Sequence, residues 1–323
     1  MSKKKSFGKI NGREAVVVGI IIAMIALFSI LSPTFRTYTT FTSVLDMSYY
    51  IALMAIGVTF PLITGGVDLS IGTGLICYSL FGGYLVVHKD VPVIVALLAC
   101  LILSILIGLL NGVLVAFMDL PPFLATLCTC MITRGLGSLL SGGFGVSWPS
   151  SLEAEGWFRK IFRITVDGQN IPVGIFVVVI LVLLMNFVLN HTKIGRYTIA
   201  IGSNKEATKL AGVNVKFYHV FAYVISGFFA GLAAIAYSGT YVTIYPGSGA
   251  GFELDAIGGA IVGGVSATGG VGSITGAFLG VLVITLMKVG LPFVGLQANW
   301  QQIFTGLVLI AAVLVDVVKK KKN

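Results

Sequence analysis

The sequence has little charge: only 10% of its 323 residues are Asp, Glu, Lys or Arg, while 57% are hydrophobic. A soluble domain carries about 25% charged residues, so this chain has too few to cover a surface exposed to water. The mean hydropathy is +1.01. Composition therefore excludes a soluble globular protein. It predicts an all-α polytopic membrane protein made of helices of roughly 20 apolar residues each.

Motifs for nucleotide, metal and nucleophile chemistry are also missing. The sequence contains no G-x-x-x-x-G-K-[ST] phosphate loop, no H-E-x-x-H and no C-x-x-C. Its four cysteines lie inside apolar runs, where we expect small core residues rather than disulfides or metal ligands. We therefore predict no catalytic site, no bound metal and no cofactor held by this chain. An intramembrane enzyme is a weak alternative.

The net charge of +9 comes from basic residues near the ends of apolar runs. Excess Lys and Arg mark the cytoplasmic segments of a membrane protein. An even number of spans between the clusters places both termini in the cytoplasm, and no nucleic-acid partner is needed. The clusters are Lys3, Lys4, Lys5, Lys9 and Arg13; Lys193, Arg196, Lys205, Lys209 and Lys216; and Lys319, Lys320, Lys321 and Lys322.

Apolar runs broken by Pro, Gly or charge predict about ten membrane spans. The run 255–268 is short and rich in glycine, which indicates a broken or re-entrant helix. Glycines at four-residue spacing, such as Gly227 and Gly231 or Gly259 and Gly263, predict close helix packing. The spans are 15–32, 47–64, 70–87, 91–117, 122–141, 171–190, 217–239, 255–268, 273–290 and 299–317.

Two acidic elements begin apolar runs and are candidates for the translocation pathway. Asp68 and Ser70 follow two glycines, and Glu253 and Asp255 open the short run. A carboxylate at membrane depth costs free energy and indicates a functional site. The alternative is a helix N-cap that satisfies free backbone N–H groups. The two elements are also interpreted as an echo of two related halves, as in many transporters.

The segment 191–216 is predicted to contain a short cytoplasmic helix. Ser203 to Glu206 is interpreted as a capping box, Ala207, Leu210 and Ala211 follow at helical spacing, and Gly212 is placed to end the helix. Such a helix either docks in a groove on a partner or lies on the lipid headgroups.

Two cations and several aromatic residues receive simple structural interpretations. Arg134 and Lys288 fall within apolar runs, and we expect both to snorkel toward the interface, with a substrate contact as the alternative. Five aromatic residues near the outer boundaries are expected to form an interfacial belt. They are Tyr241, Tyr245, Trp148, Trp157 and Trp300.

Five strings together resemble the permease subunits of bacterial ABC importers for ribose, galactose, arabinose and xylose. The resemblance extends over nearly the whole chain. The strings are GGVDLSIG (65–72), NGVLVAF (111–117), PPFLATL (121–127), KIGRYTIAIGSNKEATKLAGVNV (193–215) and ELDAIGGAIVGGVSATGGVGSITG (253–276).

The resemblance implies a single transmembrane permease domain over 1–323 in the bacterial inner membrane, working with a second copy or a sister permease. It also implies a cytoplasmic ATPase, which binds ATP and Mg, and an extracytoplasmic sugar-binding protein. In such systems the loop equivalent to 195–215 contacts the ATPase. The coupling residues it implies here are Gly195, Arg196, Ser203, Asn204, Lys205, Glu206, Ala207, Leu210 and Gly212.

Other functions remain open at the level of the sequence. An ion-coupled secondary transporter would use Asp68 or Asp255 as a proton relay. A non-transporting membrane scaffold would show no substrate flux. Related permeases also carry nucleosides, inositol or furanose signal molecules, so the resemblance does not fix the substrate.

Overall fold

Between residues 12 and 322, which the computed structural model describes, the chain forms twelve α-helices with very little sheet. The basic cluster Lys3, Lys4, Lys5 and Lys9 lies outside the described residues. The helices are α1 (Gly12–Leu31), α2 (Tyr38–Ile63), α3 (Ser70–Lys89), α4 (Val93–Ala116), α5 (Pro122–Leu140), α6 (Gly174–His191), α7 (Lys193–Ser203), α8 (Lys205–Leu210), α9 (Val215–Thr240), α10 (Phe252–Val262), α11 (Ile274–Phe293) and α12 (Ala298–Lys322).

Nine of the helices in the described part of the chain are long and apolar enough to cross a membrane. They correspond to nine of the ten predicted spans, with ends that differ by a few residues except at the start of α2. The all-α, multi-pass prediction is therefore confirmed.

The tenth predicted span is a short helix followed by irregular chain. Helix α10 has 11 residues, about 16 Å at 1.5 Å per residue, against a hydrocarbon core of roughly 30 Å. It begins at Phe252 and ends at Val262, so the predicted bounds 255–268 are wrong. A turn with Gly264 in the left-handed region ends it. The chain then reaches the end of α2, where the N–H of Gly270 donates to the carbonyl of Ile63 at 2.8 Å.

Helix α2 forms the centre of the bundle and is buried along most of its length. Helix α9 packs along α2 on one side and along α4 on the other, while α3, α10 and α11 complete the surrounding layer. Helices α1 and α12 lie at the periphery, with few buried residues. Close approach between α4 and α9 depends on glycine, since a Cβ on Gly108 would meet the Cα of Gly227 at 3.1 Å.

The start of α2 extends beyond the predicted span, which began at 47. Its first nine residues are mostly polar, and Asp46 forms an ion pair with Arg163 from the loop between α5 and α6. This extension therefore lies on the outer side, supported by contacts that an apolar-run criterion does not detect.

The same outer loop closes over the bundle. It contains strand β1 (Val146–Ser147), a 3-10 helix (Ala154–Ile161) and the hairpin β2 (Ile164–Val166) with β3 (Gln169–Ile171), and β1 pairs antiparallel with β4 (Thr243–Ile244). Arg159 donates to the carbonyls of Gly239 and Tyr241 at the end of α9. Trp148 is only 2% exposed and donates to the carbonyl of Ser79 at 3.0 Å. The expectation of an interfacial belt is wrong for Trp148, because this indole fills the core.

The cysteines divide between core and surface. Cys77 and Cys100 are buried as predicted, and the Cys100 thiol donates to the carbonyl of Tyr78 at 3.0 Å. Cys130 is partly buried, whereas Cys128 is exposed on α5. The core interpretation is therefore wrong for Cys128.

Candidate functional site

The segment between α6 and α9 forms two helices, α7 and α8, joined at Asn204. Thr192 caps α7, and the side-chain oxygen of Asn204 caps α8 by accepting from the N–H of Ala207 at 2.9 Å. Ser203 is the last residue of α7, and its hydroxyl donates to the carbonyl of Ile199. The predicted capping box is therefore wrong in its cap residue. Gly212 has φ +81°, the left-handed geometry predicted for a helix end.

Helix α8 stands out from the rest of the bundle. Of its six residues only Thr208 is buried, while Lys205, Glu206 and Ala207 are exposed. Leu210 is 89% exposed, although it is the one large apolar side chain of the helix. Of the other predicted coupling residues, Arg196 is exposed and Gly195 is buried where α7 begins. The structure thus gathers the residues from Ser203 to Gly212 on one projecting element.

The end of α7, directly before α8, packs against two other segments. A Cβ on Gly202 would collide with the carbonyl of Ile63 and would meet the N–H of Gly270 at 2.5 Å. A Cβ on Gly270 would meet the Ser203 hydroxyl at 2.9 Å. The end of α7 therefore contacts both the end of α2 and the turn after α10. Sequence reasoning missed Gly202 as a contact residue; its one signal was a glycine directly before the predicted helix.

Asp68 is fully buried at the start of α3 and begins a chain of hydrogen bonds. Its Oδ1 accepts from the N–H of Ser70 at 3.0 Å and from the Ser70 hydroxyl at 2.6 Å. Asn111 on α4 donates to the Ser70 hydroxyl at 2.9 Å, and Thr129 on α5 donates to the side-chain oxygen of Asn111 at 2.7 Å. The N-cap residue of α3 is Leu69, which has no side-chain cap, so Asp68 is not the predicted cap, although it satisfies the N–H of Ser70 in the first turn. The network ties α3 to α4 and α5.

Glu253 and Asp255 lie in the first turn of α10 but have different surroundings. Asp255 is 2% exposed and forms an ion pair with Lys288 of α11 at 2.5 Å. Glu253 is half-buried against α3, where a Cβ on Gly72 would meet the N–H of Glu253 at 2.7 Å. The snorkelling expected of Lys288 is therefore wrong. The two acidic elements do meet, since α10 begins beside the first turn of α3.

Comparison with known proteins gives this architecture a family. The model of the branched-chain amino acid transport system / permease component family matches residues 40–313. This match covers most of the chain, from α2 to α12. The chain belongs to this permease family. No solved structure matches the chain.

Relatives resemble the permease over almost its full length. The ribose import permease protein RbsC of Escherichia coli K12 is 34% identical over 98% of this chain and 97% of its own. The galactose/methyl galactoside import permease protein MglC of Haemophilus influenzae is 31% identical over 100% and 99%. The fructose import permease protein FrcC of Rhizobium meliloti is 31% identical over 93% and 84%. The predicted resemblance to sugar ABC importer permeases is confirmed, and the chain is a multi-pass inner-membrane transport subunit.

The permease's Asp68 network supports a prediction. Asp68→Asn replaces the carboxyl group of this network with an amide, and we expect a loss of about 1–2 kcal/mol in the free energy of unfolding. Thermal unfolding of the detergent-solubilised protein measures this loss. Asp90→Asn is the matched control, because Asp90 is exposed at the other end of α3 in a left-handed conformation that Asn also adopts.

Uptake by the same variant separates a structural from a transport role for Asp68. If Asp68 serves only the hydrogen-bond network, the variant should show normal uptake per folded molecule. Full stability with lost uptake would contradict this interpretation and favour direct participation in the pathway.

Proposed function

We propose that this permease is the membrane subunit of an ATP-driven monosaccharide importer. Residues 1–323 form one transmembrane domain that works beside a second copy or a sister permease in the lipid bilayer. The domain receives sugar from an extracytoplasmic binding protein and releases it into the cytoplasm. The names of the relatives support the substrate class, since they specify ribose, galactose or methyl galactoside, and fructose.

A separate cytoplasmic ATPase supplies the energy and binds ATP and Mg, while the permease itself binds no cofactor and catalyses no reaction. The observation that carries this proposal is the projecting helix α8, whose Leu210 is 89% exposed. An exposed leucine on a short capped helix is suited to a groove on a partner. Residues Ser203 to Gly212 are the docking element.

The contacts at the end of α7, directly before α8, provide a route by which movement of the ATPase reaches the membrane helices. Movement of the docked helix would push the end of α7, where Gly202 touches the carbonyl of Ile63. It would also push the turn at Gly270, which is hydrogen-bonded to the same carbonyl. One displacement thus acts together on α2 and on the connection between α10 and α11. These helices carry the two acidic elements or adjoin them, so the displacement changes access along the pathway.

Purification of the tagged permease in mild detergent tests the partner. We expect an ATPase to copurify in stoichiometric amount and to show vanadate-sensitive hydrolysis. Leu210→Asp should lower its recovery at least tenfold, because a buried apolar contact becomes a buried charge. Leu152→Asp is the matched control, since Leu152 is 96% exposed in the outer loop.

The alternative ion-coupled transporter predicts the opposite pattern. The chain would then purify alone with its fold intact, and uptake would collapse with an uncoupler of the proton gradient. Equal ATPase recovery with the wild type and Leu210→Asp would reject α8 as the docking element.

A further inference from the structure

Arg134 of α5 lies near the middle of the membrane. The hydroxyl of its neighbour Thr133 is 2.9 Å from that of Thr73 on α3. The first turns of α3 pack along α4, and two hydrogen bonds show their depth. Asn111 of α4 donates to Ser70, and Cys100 of α4 donates to the carbonyl of Tyr78, so Thr73 lies between these two levels. These levels fall in the central part of α4, the most apolar of the candidate spans. Arg134 therefore lies at the depth of the hydrocarbon core.

The surroundings of Arg134 do not allow it to snorkel easily. Its side chain is exposed, and it makes no hydrogen bond or ion pair within residues 12–322. Helical side chains lean toward the N-terminus of their helix, which for Arg134 is away from the nearer, outer end of α5. An exposed guanidinium at this depth requires water or a polar partner.

The exposed surface of α5 has two flanks of different character. Residues at a spacing of four share a flank of the helix. One flank carries Leu124, Cys128 and Ile132, and it is suited to lipid. The other carries Cys130, Arg134 and Ser138, with Leu127 and the exposed Met131 beside them. The exposed polar side chains of α5, Arg134 and Ser138, thus lie together on this second flank, called the polar flank.

An irregular segment packs against the first turns of α3, close to the level at which Thr73 meets Thr133. Residues 245–251 form turns rather than helix, and a Cβ on Gly249 would meet the carbonyl of Gly72 at 2.9 Å. Gly247 and Ala250 are exposed. Irregular backbone at membrane depth occurs only inside protein or against a water-filled cavity. Because Gly247 and Ala250 are exposed, this segment is a second and independent indication that water reaches the level of Arg134.

We propose that the polar flank of α5 and residues 249–253 form a wall of the sugar pathway, in which Arg134 and Glu253 bind the hydroxyl groups of the passing monosaccharide. That the solute is a sugar rests on the proposed function, whereas the exposure of this wall to water rests on the fold alone. Cys130, Arg134 and Ser138 with residues 249–253 are called the pathway wall below.

The chemistry of the pathway wall fits a neutral polyhydroxylated solute. Arginine offers only donors and an ionised carboxylate only acceptors. A sugar hydroxyl both accepts and donates, so neighbouring hydroxyls can accept from Arg134 and donate to Glu253. The side-chain Oε2 of Glu253 is buried without a hydrogen-bond partner in the described part of the chain. A wall that offers donors on one residue and acceptors on the other is suited to a solute with hydroxyl groups rather than to a simple ion.

Labelling of introduced cysteines tests the exposure to water. In a Cys128→Ser, Cys130→Ser background, we compare Arg134→Cys with Ile132→Cys, using a charged methanethiosulfonate on membranes. Both positions are exposed, two residues apart on α5. We expect Arg134→Cys to react at least about tenfold faster, because the reactive thiolate forms in water. Ser138→Cys provides a second site on the polar flank if Arg134→Cys does not insert.

Each labelling result decides the inference. Slower labelling of Arg134→Cys in the presence of the transported monosaccharide would support binding at the wall. Equal or absent labelling at positions 132, 134 and 138 would overturn it. So would a disulfide between the Arg134→Cys residues of two copies together with exclusion of the reagent, because the flank would then be an interface between chains.

Uptake measurements separate this inference from the proposed function. Arg134→Gln and Glu253→Gln should each lower monosaccharide uptake about tenfold, while Ile132→Ala should not, because each polar variant removes a charge-assisted hydrogen bond. Normal uptake by both polar variants would overturn the binding role. If the wild type transports no monosaccharide, the proposed function fails, whereas the labelling ratio still decides whether the wall faces water.

Discussion

Lys288→Met is expected to destabilise the permease by about 3–5 kcal/mol, because it leaves a buried carboxylate without its partner. Asp255 is 2% exposed, and its Oδ2 lies 2.5 Å from the Nζ of Lys288. Removing the carboxylate from water costs free energy, and in the native protein the ammonium group of Lys288 offsets this cost. No other ion pair of Asp255 is present in the described part of the chain. Thermal or denaturant unfolding in detergent measures the loss, and we expect a reduced yield of folded protein in membranes.

A double variant shows whether the two residues act as a unit. Asp255→Asn with Lys288→Met removes both charges, and it should recover much of the stability, as replacement of whole buried ion pairs often does. Lys193→Met is the control for loss of a cation, since Lys193 is exposed; we expect a change within about 0.5 kcal/mol. A double variant no more stable than Lys288→Met would show that the pair is not a unit.

The same variants address the ion-coupled alternative. If Asp255 were a proton relay, Asp255→Asn would keep the fold and abolish uptake. Because Asp255 is in an ion pair, we expect the opposite result. Asp255→Asn should lower the stability, and uptake should fall only in proportion to the amount of folded protein.

The spans could be predicted from the sequence because lipid imposes a simple rule on the backbone. Long apolar runs bounded by charge become helices, since every N–H and C=O must be paired inside the segment. This rule located nine spans and indicated that 255–268 forms a broken or re-entrant helix. It failed at the start of α2, where residues 38–46 are mostly polar and lie on the outer side. Those residues are supported by the ion pair with Arg163, which leaves no periodic signal.

The cap of α8 shows a second limit of the sequence. Ser203 and Asn204 are both good cap residues, and Glu206 in a capping-box position favoured Ser203. Because α7 continues through Ser203, its backbone is already helical and the cap falls to Asn204. The existence of the helix and its end at Gly212 could be predicted locally. The choice of cap depended on how far the preceding helix extends.

Contacts distant in sequence could not be predicted. Asp255 and Lys288 are brought together because α10 packs closely on α11, and Arg134 is brought to the depth of Glu253 because both adjoin the start of α3. A single sequence shows charges within apolar runs but not which charges meet. Snorkelling was the simplest expectation for an isolated cation, and the packing of the helices replaced it with an ion pair for Lys288.

The packing of α10 on α11 leads to the second large effect that we expect. Gly280→Leu should destabilise the permease by about 3 kcal/mol or more, the upper part of the range for overpacking a core. A Cβ at Gly280 would collide with the carbonyl of Gly259, and one at Gly276 would collide with that of Gly263. The obstacle in each case is backbone, which cannot turn aside as a flexible side chain does. The spacing of these glycines is the predicted small-residue pattern.

Gly306→Leu on α12 is the matched control for helix propensity and added apolar surface, because a Cβ there meets nothing within 4 Å. We expect it to leave the unfolding midpoint unchanged or slightly raised, since leucine favours helix over glycine. Equal stability of Gly280→Leu and Gly306→Leu would show that α10 can move away from α11 without loss. In that case the positions of Asp255 opposite Lys288 and of Glu253 in the pathway wall would depend on contacts other than the close approach of Gly280 to Gly259.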